Sequence, residues 1–276
     1  TSILPGAYNE SVVMRILNPK SIGVPLEELG IPPKLLSVLL REITKPNGML
    51  LTTGPTGSGK TTTLYAFLKK VHNPTVKIIT IEDPIEFLHE SKNSLIHQRE
   101  IGRHTVSYSQ ALRSALREDP DVILVGEMRD LESIRLALTA AETGHLVLAT
   151  LHTSSAAKTI DRVVDVFPAG EKEMVRAMLS ESLRAVIAQT LCKTNHGESR
   201  VAAYEILLGT PAIRHLIREN QVAQSYSAIQ TGHSMGMQTL DQHLRLLVDL
   251  QKIKLEEAYK KSLNKELFRE QISFNT

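Results

Sequence analysis

The chain has 276 residues, enough for one large domain or a domain with a fragment of another. Apolar residues make up 42%, and the formal net charge of +2 lacks the basic bias of a dedicated nucleic-acid binder. Aromatics are only 4% with no Trp, which gives little support to stacking on single strands, and a single cysteine, Cys192, excludes an internal disulfide framework or a four-cysteine zinc site. No apolar run approaches the roughly 18 residues of a membrane span, and no signal-peptide pattern opens the chain. The expectation is a soluble cytoplasmic protein that must be recruited if it works at a membrane.

In chain order, "SVVMRIL" at 11–17 reads as a strand without a sheet of its own, the tail of a domain cut off upstream. From Pro32 to Ile43 apolar residues recur at helical spacing, and Lys45-Pro46-Asn47-Gly48 closes that helix with a turn. A strand at 49–53 enters a glycine loop, and a helix follows to about Lys70. "VKIITIE" at 76–82 is a β-branched strand ending in acids. Ser107 and Gln110 form a capping box for a helix that stops before Asp119-Pro120. Residues 122–125 and 146–151 read as short buried strands, with an Asp130-capped helix between them. Residues 174–191 carry Met174, Met178, Leu179, Leu183, Val186, Ile187 and Leu191 on one helical face. Thr210-Pro211 starts another helix, in which Arg214 and Arg218 could dock on an acidic surface. After Gly232 the chain reads as mainly helical. Strands alternating with helices imply an α/β core with a mostly parallel sheet, followed by a helical C-terminal part.

Gly54-Pro55-Thr56-Gly57-Ser58-Gly59-Lys60-Thr61 satisfies the phosphate-loop pattern G-x-x-x-x-G-K-[ST] in full, with Thr62 next on the helix. Glycines let such a loop turn its N–H groups inward, and the helix N-terminus adds a positive dipole end. Lys60 can reach the β- and γ-phosphates, and the Thr61 hydroxyl can ligate Mg²⁺. The implied ligands are therefore ATP and Mg²⁺. Hydrolysis also needs groups that order the metal and orient water. Glu127 stands just past the 122–125 strand, where a second-strand acid sits, although the glycine before it suggests contact with the metal through water. "TIEDPIE" supplies Glu82, Asp83 and Glu86, any of which could polarise water. His145 and His152 bracket the 146–151 strand, which does not suit a shared metal site; each is either structural or a γ-phosphate sensor.

"GPTGSGKTTT", "IEDPIEF", "LREDPDVILVGEMRDLESIRLALTAAETGHLV" and "ATLHTSSAAKTIDRVVDVFP", in that order, resemble the secretion superfamily ATPases of type II secretion and type IV pili. The resemblance covers nearly the whole chain. It implies a homo-hexameric ring of subunits with an N-terminal PAS-like domain and a RecA-like P-loop ATPase domain. It also implies recruitment to an inner-membrane pilus platform protein, at the inner face of the cytoplasmic membrane. On that basis residues 1–28 would be the end of a truncated PAS-like domain and linker. Residues 29–276 would be the ATPase domain, helical from about 205. Motif by motif, the resemblance makes Gly54–Thr61 the Walker A loop, Glu86 the general base, Glu127 the Walker B glutamate, and His145 and His152 the two histidines of the His box. Arg15 matches a terminal strand whose arginines reach a neighbour's nucleotide.

"PAIRHLIRE" at 211–219 and "GMQTLDQHL" at 236–244 resemble the retraction branch of the pilus motors, whereas "ILPGAYNESVVMRIL" and "LEELGIP" resemble the assembly and secretion branch. The C-terminal signature carries more weight, because it lies where the branches differ by role. Retraction is the expected function. A pilus assembly or secretion ATPase is the alternative enzyme, and a non-hydrolysing, nucleotide-gated module on the platform is the alternative of another class. The near-neutral charge argues against a DNA translocase.

Overall fold

The computed structural model describes residues 2–5, 10–13, 24–91, 94–197 and 199–273, with side chains from residue 24 to residue 269 of these segments. Strands β1 (Ser2–Pro5) and β2 (Glu10–Val13) form an antiparallel pair in the register Ser2↔Val13 to Pro5↔Glu10. The described part of the strand expected at 11–17 therefore has a partner, supplied by the residues just before it. Arg15 lies outside the described residues.

A short 3-10 turn, Leu26–Glu28, precedes helix α1 (Pro33–Ile43). Pro33 opens α1, where a missing N–H leaves no bond unmade. Leu35, Leu36, Leu39 and Ile43 bury one face of it. Leu26, just before the expected boundary at 29, packs in the same buried cluster as Ile31.

Seven strands make the central sheet: β3 (Gly48–Thr53), β4 (Lys77–Glu82), β5 (Leu95–Glu100), β6 (Val122–Val125), β7 (Leu146–Thr150), β8 (Leu183–Lys193) and β9 (Arg200–Leu208). Their spatial order is β5-β4-β6-β7-β3-β8-β9, parallel throughout except for the antiparallel β8–β9 pair. The crossovers carry α2 (Lys60–Val71), α3 (Tyr108–Ala115), α4 (Leu131–Glu142), α5 (Ala156–Asp165) and α6 (Lys172–Ser182). Caps fix their starts: Ser107 accepts from Gln110 N at 3.2 Å, and Asp130 from Ser133 N at 2.8 Å. The C-terminal helices are α7 (Pro211–Arg218), α8 (Ser225–Thr231), α9 (Leu240–Asp249), α10 (Leu255–Lys261) and α11 (Glu266–Ser273).

Residues 174–191 are not one helix. Helix α6 ends at Ser182, and Leu183 turns extended (φ −64°, ψ 122°) into β8. Val186 and Ile187 fit a helical stripe and a buried strand equally well. Strand β8 lies between β3 and β9 and is buried on both faces for most of its length, which erases the alternation that marks a strand. Strand β9 follows to Leu208, so helical structure resumes at Pro211 instead of about 205. In α7, Ile213 and Ile217 are buried, and both Arg214 and Arg218 reach Glu181 of α6, at 3.3 and 2.6 Å. The acidic surface these arginines meet is this chain's own.

The sheet and its flanking helices share one large core. A smaller cluster gathers Cys192 and Ala203 of the β8–β9 hairpin with Leu240, Leu244 and Leu247 of α9, Ile253, Ala258 and Phe268. Where β9 meets α5, Glu205 is 2% exposed and its Oε1 accepts from Ala156 N at 2.7 Å. In this topology the C-terminal ends of β3, β4, β6 and β7 open on one edge, where ligands bind in open α/β sheets.

Candidate nucleotide site

Strand β3 is paired on both sides and delivers Thr53 to the loop. Thr53 Oγ1 donates to Thr153 O at 3.1 Å, tying the loop's root to the segment after β7. Gly54 has φ +144°, and a Cβ there would lie 2.2 Å from Gln189 O and 2.7 Å from Ser58 Oγ. Only glycine fits. Gly59, in the left-handed region, is the N-cap of α2 and has no side chain to satisfy the first-turn N–H groups, which leaves these donors to an anion. Ser58 Oγ is buried without a hydrogen-bond partner. That orphaned hydroxyl, inside a curl of backbone donors, fits a phosphate oxygen.

Lys60 is 8% exposed, and its Nζ donates to Gly54 O at 2.9 Å and Pro55 O at 3.1 Å. Burial pulls its pKa below the ordinary lysine value, partly offset by the charge of Glu127. His152 Nδ1 stands 3.5 Å from Lys60 Nζ, and His152 Nε2 stands 3.5 Å from Glu127 Oε2. Lysine, histidine and carboxylate thus form one chain of contacts across the mouth of the loop.

Gly126 turns the end of β6 toward that mouth. A Cβ there would meet Ile81 O at 3.1 Å and the Tyr108 hydroxyl at 3.3 Å, so a side chain would press Glu127 out of line. Arg129 Nη2 donates to Glu127 Oε2 at 2.8 Å. Burial raises the Glu127 pKa, but the Arg129 hydrogen bond and the charges of His152 and Arg129 outweigh it, and the net shift is downward. Glu127 is held as a carboxylate.

At the end of β4 the acids divide. Glu82 is 3% exposed. Its Oε2 accepts from the Tyr65 hydroxyl, and its Oε1 accepts from Thr80 at 2.6 Å and Gln98 at 3.2 Å. Burial pushes its pKa up against those three donors, with the charge of Glu86 adding to the rise. Asp83, joined to Pro84 by a cis peptide, is exposed, and Glu86 is half-buried on the cleft wall. A buried, fully engaged Glu82 is unavailable to solvent, whereas Glu86 faces it.

A cleft of about 1490 Å³ joins these groups: Thr56 to Thr62, Glu86, Glu127 and His152 all line it. Its other end is walled by Leu29, Leu191 and Val201, with Arg200 and Lys252 at the rim. Of the residues singled out in the sequence, the structure brings together the loop from Gly54 to Thr62, Glu86, Glu127 and His152. It leaves His145 at the opposite end of β7, where its Nδ1 lies 2.6 Å from Pro120 O. Sequence reading missed Tyr65, Gln98, Arg129 and Gln189, which hold the site residues. Arg129, two positions after Glu127, was the one with a local signal. Gln189 had none, since its segment read as helix.

The family described as Type II/IV secretion system protein matches residues 1–270. The type IV pilus retraction ATPase PilT of Pseudomonas aeruginosa is 65% identical over 238 residues, covering 86% of this chain and 68% of the relative. A twitching motility protein of Neisseria gonorrhoeae is 60% identical over 242 residues, covering 87% of this chain and 64% of the relative. The chain thus spans about two thirds of the length of these relatives. A crystal structure of the pilus retraction motor PilT with bound ADP superposes with a TM-score of 0.82 at 43% identity, covering 96% of this chain and 74% of that one. A match along nearly its whole length, carried by the fold as well as the sequence, places the chain in the Type II/IV secretion system protein family.

Proposed function

We propose that the chain is the catalytic part of an ATP-driven motor that retracts type IV pili, working as a homo-hexameric ring docked on an inner-membrane platform protein from the cytoplasmic side. The observation that carries this reading is the single cleft in which a full phosphate loop, Glu127 with its Arg129 and His152 partners, and Glu86 meet. The relatives named for retraction and twitching supply the biological role. Among the described residues no helix is long and apolar enough to cross a membrane, so the reading requires recruitment.

In this reading the loop's N–H groups and Lys60 hold the phosphates, and Lys60 exchanges its two carbonyl contacts for phosphate oxygens. Thr61, on the first turn of α2, and Glu127 would hold Mg²⁺, which supplies charge neutralisation at the phosphates. A hydroxyl and an ionised carboxylate lining one cleft are hard oxygen donors that suit this ion. Glu86 is the general base, since Glu82 is sealed by Tyr65, Thr80 and Gln98. His152, between Lys60 and Glu127, is placed to sense a γ-phosphate. The role proposed for His145 is to fix the approach to β6 against the start of β7. Residues 1–28 belong to the end of a PAS-like unit, from which Arg15 would act on a neighbour's nucleotide.

The two carboxylates argue against a non-hydrolysing module. The N-terminal resemblance keeps an assembly or secretion motor as the second reading. ATP turnover by the purified protein, lost in Lys60→Ala, tests the enzyme. Cells lacking the gene should be hyperpiliated and non-twitching; bald cells would make it an assembly motor instead.

A further inference from the structure

Gln189 sits on β8 beside the phosphate loop and is 3% exposed. Its Nε2 donates to Ser58 O at 2.7 Å, and its Oε1 accepts from Thr63 Oγ1 at 2.9 Å. The orientation of the amide is dictated by its partners. A carbonyl oxygen only accepts, so the NH₂ must face Ser58, and the Thr63 hydroxyl must then donate to the oxygen. Between those two anchors lie Gly59, Lys60, Thr61 and Thr62, the stretch that carries the donors aimed at phosphate. The loop also rests on the backbone of the same residue: Gln189 O is the atom a Gly54 Cβ would strike at 2.2 Å.

From this we infer that Gln189 is the positioning residue of the phosphate loop. One side-chain amide staples both ends of the 58–63 bend, so that the donors are arranged before nucleotide arrives. The inference rests on the nucleotide reading of the cleft. Pre-arranged donors gain affinity because ordering is not charged to the binding step. The atoms the amide grips, Ser58 O and Thr63 Oγ1, are not themselves phosphate contacts, so Gln189 acts through the loop. The staple grips the segment that meets the phosphates common to ATP and ADP, so both nucleotides should depend on it equally. A glutamate could not replace it. Its oxygen would face Ser58 O, and its charge would sit behind the phosphate site.

The test compares Gln189→Met, of similar length but without either bond, with Gln189→Glu and Thr63→Val. Binding of ATP and of ADP is measured by titration with fluorescent analogues, alongside melting of the nucleotide-free protein and steady-state hydrolysis. Gln189→Met should weaken ATP and ADP by the same factor, about tenfold or more, because two buried hydrogen bonds are lost. Gln189→Glu should weaken both further. The loss should fall more heavily on KM than on kcat. Thr63→Val removes one bond and should give a smaller loss of the same kind; it is the variant to read if Gln189→Met does not fold. Unchanged affinities with a lowered melting temperature would make Gln189 a purely structural residue and overturn the inference. A loss confined to ATP would also overturn it. Failure of the wild-type chain to bind either nucleotide would instead overturn the reading of the cleft.

Discussion

Replacing Tyr65 by Phe removes one oxygen and keeps the ring, including its edge contact with His89 at 4.6 Å. The oxygen lost is a donor to Glu82, a carboxyl 3% exposed to solvent. Thr80 and Gln98 still serve Glu82 Oε1, but Oε2 is left bare. A hydrogen bond to a charged partner contributes about 1.5–3 kcal/mol, and one between neutral partners about 0.5–1.5 kcal/mol. The effect must therefore depend on pH. Burial already raises the Glu82 pKa above its unfolded value. Its contribution to stability is thus full below the unfolded value and declines as pH rises through the folded one. The Tyr65 bond opposes that rise, so Tyr65→Phe lifts the folded pKa further and deepens the decline. At roughly 2–4 °C per kcal/mol for a domain of this size, the variant should melt about 3–12 °C below wild type at neutral pH. Near pH 4 the deficit should shrink to less than half. Thermal melts by circular dichroism at the two pH values measure both. A deficit of equal size at each would refute the reasoning, because Glu82 would then not change its charge in the window; no deficit at all would mean that the hydroxyl is not holding the carboxyl.

Gly126→Ala should fold but move Glu127 by a fraction of an ångström, because its Cβ meets Ile81 O at 3.1 Å; a fall in kcat of about tenfold to a hundredfold in a coupled ATPase assay is expected. Arg129→Ala removes a hydrogen bond and a charge that hold the Glu127 pKa down, so the acid limb of the pH–rate profile should move to higher pH. Glu205→Gln replaces a buried carboxyl whose pKa burial raises, and whose stabilising contribution is lost as pH rises through the folded value. That variant should gain melting temperature relative to wild type between pH 5 and pH 8, as differential scanning fluorimetry would record.

What the sequence revealed was what chemistry confines to neighbours in the chain. The phosphate loop is eight consecutive residues, and Ser107, Asp130 and Thr210 announce their helices from the residue before. The 122–125 strand was legible for the same reason, and with it the position of Glu127 just past its end, on the cleft wall. Strand β8 was hidden because a strand covered on both faces has no polar alternate, and Val186, Ile187 and Leu191 also satisfy a helical stripe. Losing β8 meant losing Gln189, whose partners lie 131 and 126 positions away. The pairing of Arg214 and Arg218 with Glu181 was likewise out of reach, since nothing in the 211–219 segment says which acid stands opposite. His145 and His152 looked equivalent as brackets of one strand, yet a parallel strand has two unlike ends, and the cleft lies at the His152 end while His145 meets Pro120 O at the other.

The β8–β9 hairpin runs without a break from one hydrophobic cluster into the other. Val186 and Leu207 near its base belong to the large core, while Cys192 and Ala203 near its tip belong to the small one. The ladder between those points is continuous from Ala185↔Leu208 to Lys193↔Arg200. The small cluster, built around α9, α10 and α11, is thus mounted on an extension of the central sheet and has no hinge of loops beneath it. A pull applied to the C-terminal helices loads nine ladder pairs lengthwise, and the ribbon between them contains Gln189. Such a ribbon bends as a leaf spring does, with its stiffness set by the hydrogen-bond ladder, and its clamped end is the strand that lies against the phosphate loop.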